Sequence, residues 1–164
     1  MIISFFVMVL VLIIALLTVP SIIGWADLLH THISKSQLVS TLKPTLDAYD
    51  WSIVFPLVII ASETNFGNCY YYNLFNITTD GSKPYFIYPT IPNLKFCRYS
   101  NYQESIDHFW RLLKMPLYAK AFQYRKSNVT QAIVELIKAG YSGADNAQSY
   151  INYIDDIQYL ISQG

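Results

Sequence analysis

From Ile2 to Trp25 the chain runs for 24 residues without a charged side chain. As an α-helix rising 1.5 Å per residue, such a run spans roughly 36 Å, more than the ~30 Å hydrocarbon core of a bilayer. The stretch IISFFVMVLVLIIALLTVPSIIGW is apolar on every face, whereas a helix on a soluble domain keeps a polar stripe. A transmembrane anchor over residues 1–25, touching lipid through residues 2–25, is therefore expected. A cleaved signal peptide fits less well, because no Lys or Arg precedes the stretch and no clear small-x-small cleavage site follows it. The first basic residues, Lys35 and Lys43, lie after the run and would by the charge rule keep the body of the protein in the cytoplasm. Two lysines are a weak determinant of orientation.

The remaining chain is long enough for one core. Hydrophobic residues make up 53% of the sequence and charged ones 13%, which argues against disorder. The 11 basic and 11 acidic side chains cancel, and the basic ones are scattered from Lys35 to Lys138. No basic run is left to follow a phosphate backbone, so nucleic acid is not an expected partner. Cys69 and Cys97 would close a loop of about 28 residues if oxidised; this possible disulfide and a pair of buried thiols are both open.

Residues 26–44 mix apolar and polar positions and are expected to form a helical connector, with the domain occupying residues 45–164. The dense run DWSIVFPLVIIASETNFG predicts a central helix that Asp50 can cap and Gly67 can end, with Pro56 marking a kink or the first turn. Between Cys69 and Arg98, short aromatic and β-branched pieces are broken by Asp80-Gly81, Pro84, Pro89 and Pro92, the pattern of a small irregular β-hairpin lobe. Helical spacing returns with Ile106, Phe109, Trp110 and Leu113, stops at Met115-Pro116, and resumes in a short helix over 117–126. Val129, Ala132, Ile133, Leu136 and Ile137 form the stripe of another helix, capped by Ser127 or Asn128 and ended by Gly140. A last helix is expected from about Asn146 to Ser162.

Common catalytic motifs are missing: no glycine-rich phosphate loop, CxxC, HExxH or GxSxG occurs. His30 and His32 read better as polar connector residues than as a metal site, and His108 as a surface or satisfied residue of an amphipathic helix. No metal ligand set is expected. Glu63 stands apart. It is one of three glutamates and follows nine uncharged residues, IVFPLVIIA, and one serine. A carboxyl at the end of such a helix is partly desolvated, which disfavours the anion and keeps a proton available for a departing glycosidic oxygen. The plainer reading is a helix-end glutamate turned to solvent. All 14 tyrosines lie at or after Tyr49, and aromatic faces with polar edges suit sugars, although most build a core.

The segment ASETNFGNCYYYNLFNI, Ala61 to Ile77, resembles the catalytic-helix motif of the peptidoglycan N-acetylglucosaminidases of glycoside hydrolase family 73. In that family a helix ends in Glu, a small residue, an aromatic and Gly, and a loop leads to Asn-Leu-Phe-Gly-Ile. The counterparts are Glu63, Thr64, Phe66 and Gly67, then Asn73, Leu74, Phe75, Asn76 and Ile77. Downstream, Phe96 to Ser105 is similar to the strand that leaves the β-lobe and the helix after it. Ala139-Gly140-Tyr141, Asp145 and Tyr150-Ile151 are similar to the closing elements.

The resemblance covers about residues 45 to 160. It implies a mainly α, lysozyme-like α+β domain with a small β-hairpin lobe beside a sugar-binding groove. It also implies that Glu63 is the general acid cleaving a β-1,4 glycan, with Tyr150 lining the groove near the cleavage point. Tyr72, Asn73, Phe75 and Phe66 would bind substrate or shape the groove. For the second catalytic role three possibilities stay open: Asp80 activating water, assistance by the substrate's acetamido group, or Glu63 acting alone as acid and then base. Glu104 reads as a helix cap. The expected protein is a membrane-anchored hydrolase of peptidoglycan glycan strands, outside the cytoplasm or in a phage membrane, needing no cofactor and serving wall opening in envelope, secretion or phage-particle assembly. A lytic transglycosylase and a non-catalytic wall-binding module are the alternatives.

Overall fold

The computed structural model describes residues 29–142 and 147–163. The expected anchor over 1–25, its lipid contact through 2–25, and Asp145 lie outside the described residues. Among the described residues no helix is long and apolar enough to cross a membrane.

In chain order the elements are β1 (His30–Thr31), α1 (Lys35–Leu42), α2 (Thr45–Tyr49), α3 (Val54–Thr64), β2 (Cys69–Tyr70), β3 (Tyr85–Phe86), β4 (Phe96–Cys97), α4 (Tyr102–Leu113), a 3₁₀ turn (Pro116–Tyr118), α5 (Ala119–Tyr124), α6 (Val129–Lys138), α7 (Gln148–Ile151) and α8 (Tyr153–Ser162). Two antiparallel two-stranded ladders accompany the helices. In the first, β1 pairs with β2, His30 opposite Tyr70; in the second, β3 pairs with β4, Tyr85 opposite Cys97. The expected mainly α architecture with a small β-lobe is present.

The organising element is α3. Its residues Phe55 to Ala61 are all buried, as a run without a polar face requires. The α6, α7 and α8 helices pack against it, and Phe109 of α4 stacks on Phe75 at 4.1 Å between centroids. Pro56 falls in the first turn of α3, where its missing N–H costs nothing and no kink is needed. Asp50 does not cap this helix. It is the left-handed residue ending α2, and its carboxylate pairs with Arg125 at 3.0 Å and Lys126 at 2.5 Å.

Residues 29–44 correct the expected connector. Ile33, Leu38 and Leu42 are buried in the same core as α3, and β1 is hydrogen-bonded to β2. The apolar positions 38 and 42 are one helical turn apart and face inward, so α1 belongs to the domain. Its start is a capping box: the Ser34 hydroxyl accepts the Gln37 N–H while the Gln37 side chain accepts from Ser34. The expected last helix is divided at Asn152 into α7 and α8. The cysteines are not joined. Both thiols are free and buried, Cys69 beside the Thr31 hydroxyl at 3.3 Å and Cys97 directed at the Thr78 carbonyl at 3.7 Å.

Leu38 has no exposed surface, so Leu38→Ala is expected to lower stability by about 2–5 kcal/mol, the range for a truncated core leucine. Urea unfolding followed by circular dichroism measures this. A loss below about 0.5 kcal/mol would return α1 to the status of a connector.

Candidate active site

Glu63 is the penultimate residue of α3, and its position follows from how that helix ends. Asn65, Phe66 and Gly67 take left-handed backbone angles, φ 46°, 61° and 90°. At Gly67 a Cβ would stand 2.4 Å from Cγ2 of Ile33, so both the angle and the space demand glycine. Thr64, buried, ties this turn together. Its hydroxyl donates to the Ile60 carbonyl at 2.9 Å, approaches the Leu74 carbonyl at 3.2 Å and accepts the Gly67 N–H at 3.1 Å.

The carboxyl of Glu63 is half-buried and held by two side chains from distant parts of the chain. The Tyr150 phenol on α7 donates to Oε1. Asn76 Nδ2 donates to the Glu63 backbone carbonyl at 2.6 Å and approaches Oε2 at 3.4 Å. Burial raises the Glu63 pKa above the ordinary glutamate value, and the bonds from Tyr150 and Asn76 oppose that shift only in part. Tyr150 is itself pushed up to about 12, by burial first and by its bond to Glu63 second. It therefore stays a donor at physiological pH. The Ser142 and Ser62 hydroxyls also bond the Tyr150 phenol. Tyr141, partly buried and near Glu63, donates to the Phe75 carbonyl at 2.7 Å. The result is a carboxylic acid that keeps its proton to higher pH than a solvated glutamate, in a fixed orientation, at the end of a rigid helix. Such a group suits general acid chemistry.

The other expected site residues are distributed differently. Asn73 and Phe75 are buried and have almost no surface to offer a ligand, so of their expected roles only the shaping of the groove from beneath is compatible with their positions. The Asn73 amide donates to the Ile77 and Cys97 carbonyls at 3.0 and 3.1 Å and accepts the Ile77 N–H at 3.0 Å. It staples the loop that carries Asn76, while Phe75 anchors that loop on Phe109. Tyr72 is half-buried, edge-on to Tyr102 at 5.0 Å. Phe66 lies under the Lys35 ammonium at 4.1 Å and lines an open pocket of about 340 Å³ with Asp156, Tyr159 and Leu160, just past the end of α3. These two rings remain accessible. Asp80 is not brought to Glu63 by any bond: it is exposed, and its carboxylate closes its own turn by accepting the Ser82 N–H at 2.8 Å, which lowers its pKa.

His108 is engaged elsewhere. Its Nε2 accepts from Lys83 Nζ at 3.2 Å, which puts the ring proton on Nδ1, 2.6 Å from the Tyr99 hydroxyl. Burial, then Lys83 and Arg111, depress its pKa to about 4, so it is neutral with its acceptor nitrogen occupied. His30 and His32 are exposed, and no metal-holding group of His, Cys, Asp or Glu occurs among the described residues. Glu104 caps as expected: its carboxylate accepts the Ser100 N–H at 2.9 Å, and its own N–H goes to Asn101 at 3.0 Å. The partner that sequence reasoning overlooked is Asn76. Its left-handed φ of 49° is one that Gly and Asn both tolerate, and that was the available signal, since the resembling motif has Gly there.

No family model and no curated protein matches the chain. Two solved structures do. The glycoside hydrolase domain of FlgJ from Salmonella typhimurium superposes with a TM-score of 0.60 over 80% of this chain and 92% of that one, at 19% identity. A C-terminally truncated form of that domain gives 0.57 over 76% and 95%, at 21% identity. The likeness is one of fold.

A raised folded-state pKa at Glu63 means that the folded protein holds this proton more tightly than the unfolded chain. The stability it gives is present below the unfolded carboxylate range and is lost as pH rises through the folded value. Glu63→Gln is therefore expected to unfold at a higher temperature than the parent at neutral pH, with the two converging at acid pH. Thermal melts across the pH range test this; a variant less stable at neutral pH would contradict the burial account.

Proposed function

We propose that the chain is a membrane-anchored peptidoglycan hydrolase that cleaves β-1,4 bonds of the glycan strand in the N-acetylglucosaminidase manner, with Glu63 as general acid. The observation that carries this reading is the half-buried carboxyl of Glu63, which burial makes a weaker acid than a solvated glutamate and which the Tyr150 phenol and the Asn76 amide aim. The shared fold with the FlgJ glycoside hydrolase domain supports it, as does the motif around Glu63. The proton passes from Glu63 to the glycosidic oxygen as that oxygen's bond to the anomeric carbon breaks; a water oxygen then bonds to that carbon, and the proton it releases restores the acid. Tyr150 holds the carboxyl in place before transfer and stabilises the carboxylate left behind. The apolar run over 2–25 would hold the enzyme in the bilayer with residues 29–164 outside the cytoplasm, or in a phage membrane, where wall is locally opened during envelope, secretion or particle assembly. No cofactor has a role in this chemistry.

One observation favours a second reading within the same class. Asp80 is committed to its own exposed turn, which leaves assistance by the substrate's acetamido group, or Glu63 acting first as acid and then as base in the lytic transglycosylase pattern. There the departing proton comes from a hydroxyl of the substrate sugar, and the product carries a 1,6-anhydro end. Mass spectrometry of digested wall distinguishes the two, because the anhydro product is lighter by one water.

Glu63→Gln in the full chain is expected to lower wall clearing by about 10²–10⁴-fold, the usual contribution of a general acid. Turbidity loss of purified peptidoglycan measures it, with circular dichroism confirming the fold. Equal clearing by variant and parent would reject Glu63 as the general acid, and no clearing by either would indicate a non-catalytic wall-binding module.

A further inference from the structure

Residues 81–98 carry Lys83, Lys95 and Arg98 and not one Asp or Glu. The same stretch leaves Tyr85, Ile87, Ile91 and Leu94 between 39% and 44% exposed. These side chains are mounted on a built lobe: beneath them Tyr71, Phe86 and Phe96 form a separate buried cluster, with Tyr70 and Tyr88 packed against it. The lobe therefore presents a firm outer surface that is both apolar and cationic, where a water-facing loop would carry polar residues.

Its place in the fold adds a second observation. The described chain begins at Leu29, itself 48% exposed, whose carbonyl accepts the Tyr71 N–H at 2.9 Å. The His30 ring lies tilted against Tyr70 at 4.9 Å, and Tyr70 lies 5.3 Å from Tyr88 and 6.2 Å from Phe86. The strand by which the chain enters the domain and the cationic lobe thus share one aromatic cluster. Trp25, at the end of the apolar run, precedes Leu29 by four positions, a reach of at most roughly 14 Å even if extended.

We infer that the β3–β4 lobe, residues 81–98, docks on an anionic lipid surface, with Ile87, Ile91 and Leu94 entering the interface and Lys83, Lys95 and Arg98 meeting headgroup phosphates. This rests on the anchor proposed above. Aliphatic side chains gain from leaving water at the acyl boundary, tyrosines suit the headgroup layer, and cations are drawn to anionic lipid. The Lys95 ammonium lies 4.9 Å over the Tyr85 ring and 3.3 Å from the Asp80 carbonyl, and a change of rotamer would carry it to a phosphate. A glycan would offer hydroxyls to the isoleucines, and a second copy of the lobe would set cations against cations. Docking would give the domain a second point of attachment and fix its orientation on the bilayer.

The test uses the full chain reconstituted in vesicles of neutral phosphatidylcholine, with or without phosphatidylglycerol, containing a spin-labelled lipid. Ile91→Trp and, separately, Leu94→Trp report lobe contact, while flotation with the vesicles reports the anchor. Flotation, together with added tryptophan emission that is blue-shifted and quenched more strongly with phosphatidylglycerol, is the expected result. Lys83→Gln and Lys95→Gln should each lower the docked-to-free ratio about fivefold. Flotation with an unquenched, water-like probe would overturn docking and leave the anchor standing; failure to float would overturn both. Quenching indifferent to phosphatidylglycerol would remove the anionic surface from the proposal. A probe that responds to protein concentration or to added glycan rather than to lipid would assign the lobe to a second copy or to substrate, and so reject it.

Discussion

Eight of the eleven residues of α3 are buried, and a helix of that kind has to be enclosed on all sides before the chain gains anything from forming it. This requirement arranges the rest. The amphipathic helices α4 and α6 turn one stripe inward, α7 and α8 close the side nearest the end of α3, and α1 is drawn into the same core through Leu38 and Leu42. Enclosure also creates the chemistry. A carboxyl at the end of a covered helix loses part of its hydration, and Glu63 is placed where that loss raises its pKa without sealing it from a ligand.

The chain immediately after Glu63 carries the conformational cost. Asn65, Phe66, Tyr71, Tyr72 and Asn76 all adopt left-handed angles, and for the three aromatic residues each such angle is unfavourable by about 1–2 kcal/mol. Left-handed aromatics persist only where neighbours fix them. Thr64 bonds both sides of the first turn, the buried Asn73 amide makes three backbone bonds, and Ser105 accepts the Leu74 N–H at 3.1 Å. Together they set the path that delivers Asn76 to Glu63, so residues without a surface of their own still define the site.

Local signals located several of these parts. The apolar run around Val58, the stripes of α4 and α6, the stop at Met115-Pro116, the Asn128 cap and the breaks at Gly81 and Gly140 were legible because periodicity and turn chemistry are properties of neighbours in sequence. Boundaries that depend on long-range pairing were not. Nothing local in His30-Thr31 announces a strand, since its partner is Cys69-Tyr70, and a segment with only two buried leucines per helix resembles a linker until a core is placed beside it. Asp50 offered a plausible cap for α3 but is occupied by Arg125 and Lys126, about 75 residues away.

The sequence by itself determined that Glu63 would end an apolar helix, because a run of nine uncharged residues has to be buried wherever it goes. Tertiary structure alone decided which groups reach that carboxyl. Tyr150 and Asn76 stand 87 and 13 residues from it, Asp80 turns into its own loop, and Asn73 and Phe75 face inward. Hydrogen bonds act over about 3 Å, and only the closed fold brings atoms so distant along the chain within that range.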